Sequence, residues 1–95
     1  MKISFSARKF TASEQLQEFA EKELNRLEKY FDGTMSGEII LEEAGSLRSA
    51  DIRLKVLSTV LTARMDGDDF YKLLPKVVEK IERQLKDLKT KLHDR

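Results

Sequence analysis

The sequence predicts a two-layer α+β domain in which two amphipathic helices cover one face of a four-stranded sheet. Two segments place apolar residues three and four positions apart, which is the period of a helix with one buried face. Four shorter segments alternate apolar and polar side chains, which is the period of a half-buried strand. Along the chain these elements follow the order β-α-β-β-β-α.

The first strand and the first helix have clear local signals. Alternation predicts a strand over residues 2–7, and apolar spacings predict a helix over residues 13–30. Ser13 suits the N-cap position because its hydroxyl can accept a hydrogen bond from a backbone N–H, while Thr11 offers a competing start as a capping box. Gly33 is expected to end the helix, since glycine tolerates positive φ.

The next three strands are predicted over residues 38–43, 50–57 and 60–65. The short turns between them predict an antiparallel meander, and the long helix before them allows a right-handed parallel crossover. With only one sheet, both helices must cover the same face, and the other face is left polar. The polar side chains expected on that open face are Arg53, Lys55, Thr62 and Arg64.

The last helix is predicted to begin near residue 68 and to carry cations beside its apolar stripe. Pro75 lies within it, so we expect a kink or a delayed start near Lys72, because proline lacks an N–H and clashes with the preceding turn. A basic row lies on one flank and comprises Lys72, Lys76, Lys80 and Arg83. The other flank is mixed and holds Glu79, Glu82, Lys86 and Lys89.

The first helix has a similar asymmetry. One flank carries the basic residues Lys22, Arg26 and Lys29, and the other carries the acidic residues Glu14, Glu18, Glu21 and Glu28. If the helices run parallel on the sheet, the basic flank of one faces the acidic flank of the other, and the second basic flank stays free. Salt bridges between the helices explain part of this pattern. The functional interpretation is a cationic edge that binds phosphate backbones.

Composition limits the remaining possibilities. The 95 residues predict one domain over residues 1–95, and we expect its helical end to fray from about residue 90. The 18 basic and 17 acidic side chains nearly cancel, so attraction to a polyanion depends on how they are arranged. The absence of cysteine excludes disulfides and thiolate metal sites, and the N-terminus resembles neither a signal peptide nor a membrane span. We therefore expect a cytoplasmic protein without membrane contact.

Catalytic motifs are not evident in the sequence. His93 is the only histidine and lies near the end of the chain, where a metal or catalytic site is not expected. The chain has no nucleophile elbow and no phosphate-binding glycine loop. We predict no enzyme activity, no cofactor, no metal site and no small-molecule substrate.

Three segments, taken in order, point to a known family. They are Leu27-Glu28-Lys29-Tyr30-Phe31-Asp32, Asp69-Phe70-Tyr71, and Lys80-Ile81-Glu82-Arg83-Gln84-Leu85 with its lysine-rich continuation. Across its whole length the chain resembles the short ribosome hibernation-promoting factor family, which includes the ribosome-associated inhibitor called protein Y. The resemblance implies the same order of elements, in a fold similar to a double-stranded-RNA-binding domain.

The resemblance also implies a function. Such a factor lodges in the decoding region of the small ribosomal subunit under stress or in stationary phase, where it blocks the path of messenger RNA and tRNA and promotes ribosome hibernation. Lys80 and Arg83 are the foremost candidates for contact with ribosomal RNA. The full set of ribosome-binding candidates is Lys22, Arg26, Lys29, Lys76, Lys80, Arg83, Lys86 and Lys89. For a short member of the family, a helper protein for ribosome dimerisation is a further implied partner.

The chain departs from the family pattern at two places. Leu57-Ser58-Thr59 replaces a glycine hairpin, so we expect a looser or longer turn there. Glu23, Glu42 and Glu43 reduce the basic surface. Two alternatives stay open: a double-stranded-RNA module that does not depend on the ribosome, and a protein-interaction domain whose helical charges satisfy one another.

Overall fold

The sheet has the mixed topology that the sequence predicts. The structure is a computed structural model that describes the backbone of residues 1–93 and the side chains of residues 1–91. Its four strands lie in the spatial order β1-β2-β3-β4, with β1 parallel to β2 and the other neighbours antiparallel. Their bounds are Lys2–Arg8, Met35–Ala44, Leu47–Val56 and Thr59–Gly67. Strands β2, β3 and β4 all extend beyond the predicted residues, because pairing with a neighbour continues past the segments that show clear alternation.

Two helices lie on one face of this sheet. Helix α1 spans Glu14–Asn25 and continues as a short 3₁₀ helix over Arg26–Tyr30, and helix α2 spans Phe70–His93. The predicted element order and two-layer α+β class are thus confirmed. Among the residues the structure describes, neither helix is long and apolar enough to cross a membrane.

The start of α1 and the end of the helical segment at Tyr30 agree with the prediction, but the expected closure by a positive-φ glycine is wrong. The Ser13 hydroxyl accepts a hydrogen bond from the backbone N–H of Leu16 at 3.1 Å, so Ser13 is the N-cap and the start at Thr11 is wrong. The helical segment ends where Phe31 turns to an extended backbone, with φ −153°. Gly33 is not in the positive-φ region; a Cβ there would lie 2.5 Å from the Phe31 ring. A side chain at position 33 would therefore require the partly exposed Phe31 ring to move.

Helix α2 begins at Phe70, so the delayed start near Lys72 is wrong. Asp69 caps it in two ways: its side chain accepts from the N–H of Tyr71 at 2.9 Å, and its carbonyl accepts from the N–H groups of Lys72 and Leu73. Pro75 lies inside the helix in its second turn and removes one hydrogen bond there. Because Asp69 accepts hydrogen bonds from the first N–H groups, the helix can begin before the proline.

The core fills the space between the helices and the sheet. Its largest fully buried side chains come from both layers and include Leu24, Leu27, Ile39, Ile52, Leu54, Leu74, Ile81 and Leu85. Burying each such side chain contributes about 1.5–3 kcal/mol. Gly37 lies under α1, where a Cβ would approach the Leu24 side chain to 2.5 Å. Burial of Leu74, Ile81 and Leu85 holds the apolar stripe of α2 against the sheet, and the polar side of that helix faces solvent.

The turn between β3 and β4 is tighter than expected. Val56 pairs with Thr59, so only Leu57 and Ser58 connect the two strands. Leu57 adopts a φ of +57°, a left-handed conformation that costs a non-glycine residue about 1–2 kcal/mol. The prediction of a looser or longer turn is wrong: the hairpin keeps its short geometry and leucine carries the strain.

Candidate nucleic-acid interface

The two helices run side by side in the same direction on the sheet. Near their starts the Phe19 and Tyr71 rings pack with centroids 5.0 Å apart, and further along the Lys86 ammonium lies 4.8 Å from the Tyr30 ring centroid. The surface between them forms an inter-helix groove. Its lining residues are Arg26, Tyr30, Pro75, Val78, Glu79 and Glu82. Arg26 of the basic flank of the first helical segment thus faces two carboxylates of α2, as the parallel arrangement predicts.

The charged side chains that line this groove, Arg26, Glu79 and Glu82, are nevertheless each paired within their own helical segment. Arg26 pairs with Glu23 at 3.3 Å, Arg83 pairs with Glu79 at 2.7 Å, and Lys86 pairs with Glu82 at 3.1 Å. Within residues 1–91, no ion pair joins one helix to the other. Salt bridging between the helices therefore does not account for their charge pattern.

Tyr30 provides the polar link between the helices instead. Its ring lies under the Lys86 ammonium of α2 at 4.8 Å and close to that of its neighbour Lys29 at 5.2 Å. The Lys86 ammonium, which donates to the Glu82 carboxylate, holds the pKa of that carboxyl below its usual value; the Tyr30 hydroxyl and the Lys29 charge act more weakly in the same direction. Glu82 in turn raises the pKa of Lys86. Tyr30 lies in one of the three segments that resemble the family, but the helical pattern alone did not predict its contact with Lys86.

The basic row of α2 lies outside the groove. None of its four members lines the groove, and all four are exposed to solvent. Its lysines, Lys72, Lys76 and Lys80, follow one another at four-residue intervals, which places them about 6 Å apart along the helix axis. In the part of the chain with described side chains, no carboxylate lies within 4 Å of any of these three ammonium groups. Arg83 differs, because its guanidinium pairs with the Glu79 carboxylate at 2.7 Å.

All eight predicted ribosome-binding residues are exposed, but they do not form a single edge. Arg26 lines the groove, with Lys29 and Lys86 at the Tyr30 ring, whereas Lys76 and Lys80 belong to the basic row. Over its length α2 carries seven Lys or Arg residues against three acidic ones, while Glu14–Tyr30 carries three against five. Positive charge is therefore concentrated on α2.

The three glutamates that were expected to weaken the basic surface each lie beside a cation. Glu23 pairs with Arg26, Glu42 approaches Lys9 at 3.9 Å, and Glu43 approaches Arg48 at 3.4 Å. Among the described residues, none of these acids pairs with a member of the basic row. The concentration of positive charge on α2 is thus preserved in a chain whose total charge is close to zero.

Other kinds of site have little support. Among the described residues, no group of three acidic or histidine side chains is placed to hold a metal ion. His93 is the last residue of α2, and its side chain lies outside the part that the structure describes. Every buried side-chain nitrogen and oxygen in the described part has a hydrogen-bond partner. The exposed cations are the chemical feature that stands out.

A small α+β domain that presents a cationic helix is typical of the class of proteins that bind nucleic acid. The chain belongs to the family described as Sigma 54 modulation protein / S30EA ribosomal protein, which matches residues 3–93. This confirms the resemblance noted in the sequence.

Individual relatives agree with this assignment. The ribosome hibernation promoting factor of Escherichia coli K12 is 27% identical over 92 residues, which cover 97% of each chain. The factor of the same name from Azotobacter vinelandii is 24% identical over 85 residues, covering 90% of this chain and 79% of that protein. Both matches extend over most of the domain and are not confined to the motifs.

Solved structures share the fold. The N-terminal domain of Thermus thermophilus protein Y superimposes with a TM-score of 0.86 at 24% identity, covering 93% of this chain and 99% of that one. A ribosomal subunit interface protein from Coxiella burnetii gives a TM-score of 0.86 at 27% identity, covering 95% and 99%. The β-α-β-β-β-α arrangement is therefore that of the protein Y N-terminal domain.

Proposed function

We propose that this protein is a ribosome-binding translation inhibitor that promotes ribosome hibernation under stress or in stationary phase. It binds the small subunit in the decoding region and occupies the path of messenger RNA and the tRNA anticodon stems. Membership of the family and the names of the relatives support the ribosome as partner. The observation that carries the proposal is the row of exposed lysines on α2, whose ammonium groups have no carboxylate within 4 Å among the described residues.

The proposed mechanism is electrostatic binding followed by steric exclusion. Lysines that contact ribosomal RNA phosphates release condensed counterions, so affinity falls as salt concentration rises. Leu74, Val77 and Ile81 are fully buried against the sheet and hold α2 in place, so the lysine row is ordered before binding. The domain then blocks messenger RNA by its volume, in the cytoplasm, without catalysing a reaction and without a cofactor. A helper protein for ribosome dimerisation is a second partner in this proposal.

Arg83 fits this mechanism although it is paired with Glu79. Both side chains are largely exposed, at 72% and 57%, and exposed ion pairs contribute about 0–1 kcal/mol. Exchange of the Glu79 carboxylate for a phosphate is therefore inexpensive. The guanidinium can also bind a phosphate through two parallel hydrogen bonds, which an ammonium cannot do.

Co-sedimentation with ribosomes of the source organism tests the proposal. The wild-type protein should migrate with the small subunit at low salt and dissociate as salt rises, and Lys80→Glu with Arg83→Glu should abolish this association. The matched control is Lys2→Glu with Lys55→Glu, which changes the net charge equally on the open face of the sheet and should still bind. A folded Lys80→Glu/Arg83→Glu variant with an unchanged ribosome-bound fraction would contradict the proposed surface.

The same experiment separates the alternatives. Competition by free RNA duplex as strong as that by ribosomes would favour a double-stranded-RNA module. Binding that is indifferent both to salt and to the two substitutions would favour a protein-interaction domain.

A further inference from the structure

Tyr71 is an aromatic side chain left in solvent on the helical layer. It is 47% exposed, one of four large apolar side chains with such exposure in the described part of the chain. The other three, Leu47, Leu57 and Val60, lie at the ends or turns of strands. Single exposed apolar residues are common on protein surfaces, so exposure alone carries no function. The side chains around Tyr71 provide the further reasons to assign it a ligand.

The Tyr71 ring is held in place without being covered. Phe19 contacts it with a centroid separation of 5.0 Å and an interplanar angle of 56°, a tilted contact that orients the ring but does not stack over it. The backbone is also fixed, because the Tyr71 N–H donates to the Asp69 side chain. Such a ring loses little conformational freedom when a ligand stacks on it.

The two aromatic residues at the start of α2 have different environments. Phe70 is buried and stacks on Phe10 at 5.1 Å with an interplanar angle of 17°, so it belongs to the core. Tyr71, the next residue, points away from that core and remains half in solvent. Tyr30 differs again, since the ammonium groups of Lys29 and Lys86 lie near its ring. Among the described residues, Tyr71 is the one of these three rings that has a large exposed surface and no cation over its face.

The charges near Tyr71 favour a nucleic acid as its ligand. Lys72 follows it directly and opens the basic row. Lys22 and Glu23 both lie one helical turn beyond Phe19, and Glu23 is paired with Arg26. Asp68 and Asp69 precede it, so a phosphate is not favoured at the helix N-terminus itself. This arrangement suits a base over the ring with its phosphates displaced towards the lysines.

We propose that Tyr71 is a stacking platform for an unpaired base of the RNA that α2 binds. The inference rests on the proposed function and adds a contact that is not electrostatic. Proteins recognise unpaired RNA bases by stacking them on aromatic side chains, and removal of such a ring costs about 5- to 100-fold in affinity per base. Stacking does not release counterions, so its contribution leaves the salt dependence unchanged.

The test measures the affinity for small ribosomal subunits at several salt concentrations for three variants of Tyr71. Tyr71→Phe keeps the ring and should bind like the wild type. Tyr71→Ala should bind about 5- to 100-fold more weakly with an unchanged slope of log affinity against log salt. Tyr71→Leu keeps apolar packing against Phe19 without a ring and should also be weakened. Circular dichroism and thermal melts establish that each variant is folded.

The outcomes distinguish the inference from the proposed function. Wild-type affinity in Tyr71→Leu or Tyr71→Ala would overturn the stacking role while leaving ribosome binding intact. Failure of the wild-type protein to bind subunits would overturn the proposed function, and the stacking role with it. A photo-reactive benzoylphenylalanine at position 71 gives a second readout: a crosslink to ribosomal RNA supports the inference, and a crosslink confined to ribosomal protein refutes it.

Discussion

Two sets of cations on the helical layer have the same chemistry and different surroundings. The lysines of the basic row are exposed and have no carboxylate within 4 Å in the part of the chain with described side chains. Arg26 lines the inter-helix groove and Lys86 lies over the Tyr30 ring of that groove; these two, called the groove cations below, each pair with a glutamate of the same helical segment. Among the described residues the first set forms no ion pair. In the second set, Lys86 links the two helices through the Tyr30 ring, whereas Arg26 is bonded within its own helical segment.

The number of cations on a surface therefore does not measure its capacity to bind phosphate. A lysine without a carboxylate partner gains the full benefit of a phosphate contact, because only water and loosely held ions are displaced. A paired cation must first lose a protein contact. We therefore expect the basic row to dominate affinity and the groove cations to contribute less, although both sets were predicted from the same helical pattern.

The largest effect is expected from charge reversal within the basic row. Lys76→Glu with Lys80→Glu should weaken subunit binding about 100-fold at low salt, because two phosphate contacts are replaced by repulsion. The slope of log affinity against log salt should fall by about two. Titration of labelled protein with small subunits measures both quantities. If the open-face control, Lys2→Glu with Lys55→Glu, weakens binding equally, net charge and not the position of the basic row determines affinity.

A smaller effect is expected from the groove. Arg26→Ala with Lys86→Ala should weaken binding only about 5-fold, and it should also lower the melting temperature because the contact of Lys86 with Tyr30 is lost. Parallel binding titrations and thermal melts check the two expectations. If this variant binds as weakly as Lys76→Ala with Lys80→Ala, the distinction between paired and unpaired cations is wrong.

Removal of a competing carboxylate should strengthen binding slightly. Glu79→Gln releases Arg83 from its partner at 2.7 Å, so affinity for subunits should rise about 2- to 3-fold. The matched control is Glu18→Gln, which removes an equal charge from α1, where no cation of the basic row lies. A gain in the control as large as that in Glu79→Gln would show that only net charge matters.

The smallest effect is the pH dependence of the Glu82–Lys86 pair. The pKa of Glu82 is lowered, so its contribution is present above the usual value of 4.5 and is lost as pH falls through the lowered pKa. The pKa of Lys86 is raised, so its contribution is present below 10.5 and is lost as pH rises through the raised pKa. Glu82→Gln should therefore melt slightly below the wild type between these limits and no lower at acid pH. A difference that grows towards acid pH would contradict this assignment.

Much of the fold could be predicted because its signals are local. Alternation identified the sheet and its buried face, and the Ser13 N-cap followed from the chemistry of one side chain. The errors occur where a distant or neighbouring group decides the outcome. Strand β2 begins at Met35, before its clear alternation, because β3 pairs with it there. Leu57 adopts a left-handed backbone because the pairing of β3 with β4 allows only two residues in the turn.

The candidate site shows the same division. The identities and helical positions of all eight cations were readable from the sequence, since a period of 3.6 residues fixes which side chains share a flank. The absence of ion pairs between the two helices within residues 1–91 was not readable. Glu23, Glu79 and Glu82 each pair with a cation three or four positions further along the same helical segment.

By itself the sequence determined the class of fold, the family and the placement of positive charge on the last helix. These depend on residue order, local periodicity and motifs that need no three-dimensional context. The tertiary structure alone decided that no ion pair joins the two helices within residues 1–91, that Tyr30 links them, and that Phe70 is buried while Tyr71 is exposed. The physical reason is that docking on the sheet sets the rotation of each helix, and that rotation determines which of two adjacent, chemically similar side chains meets the core and which meets solvent.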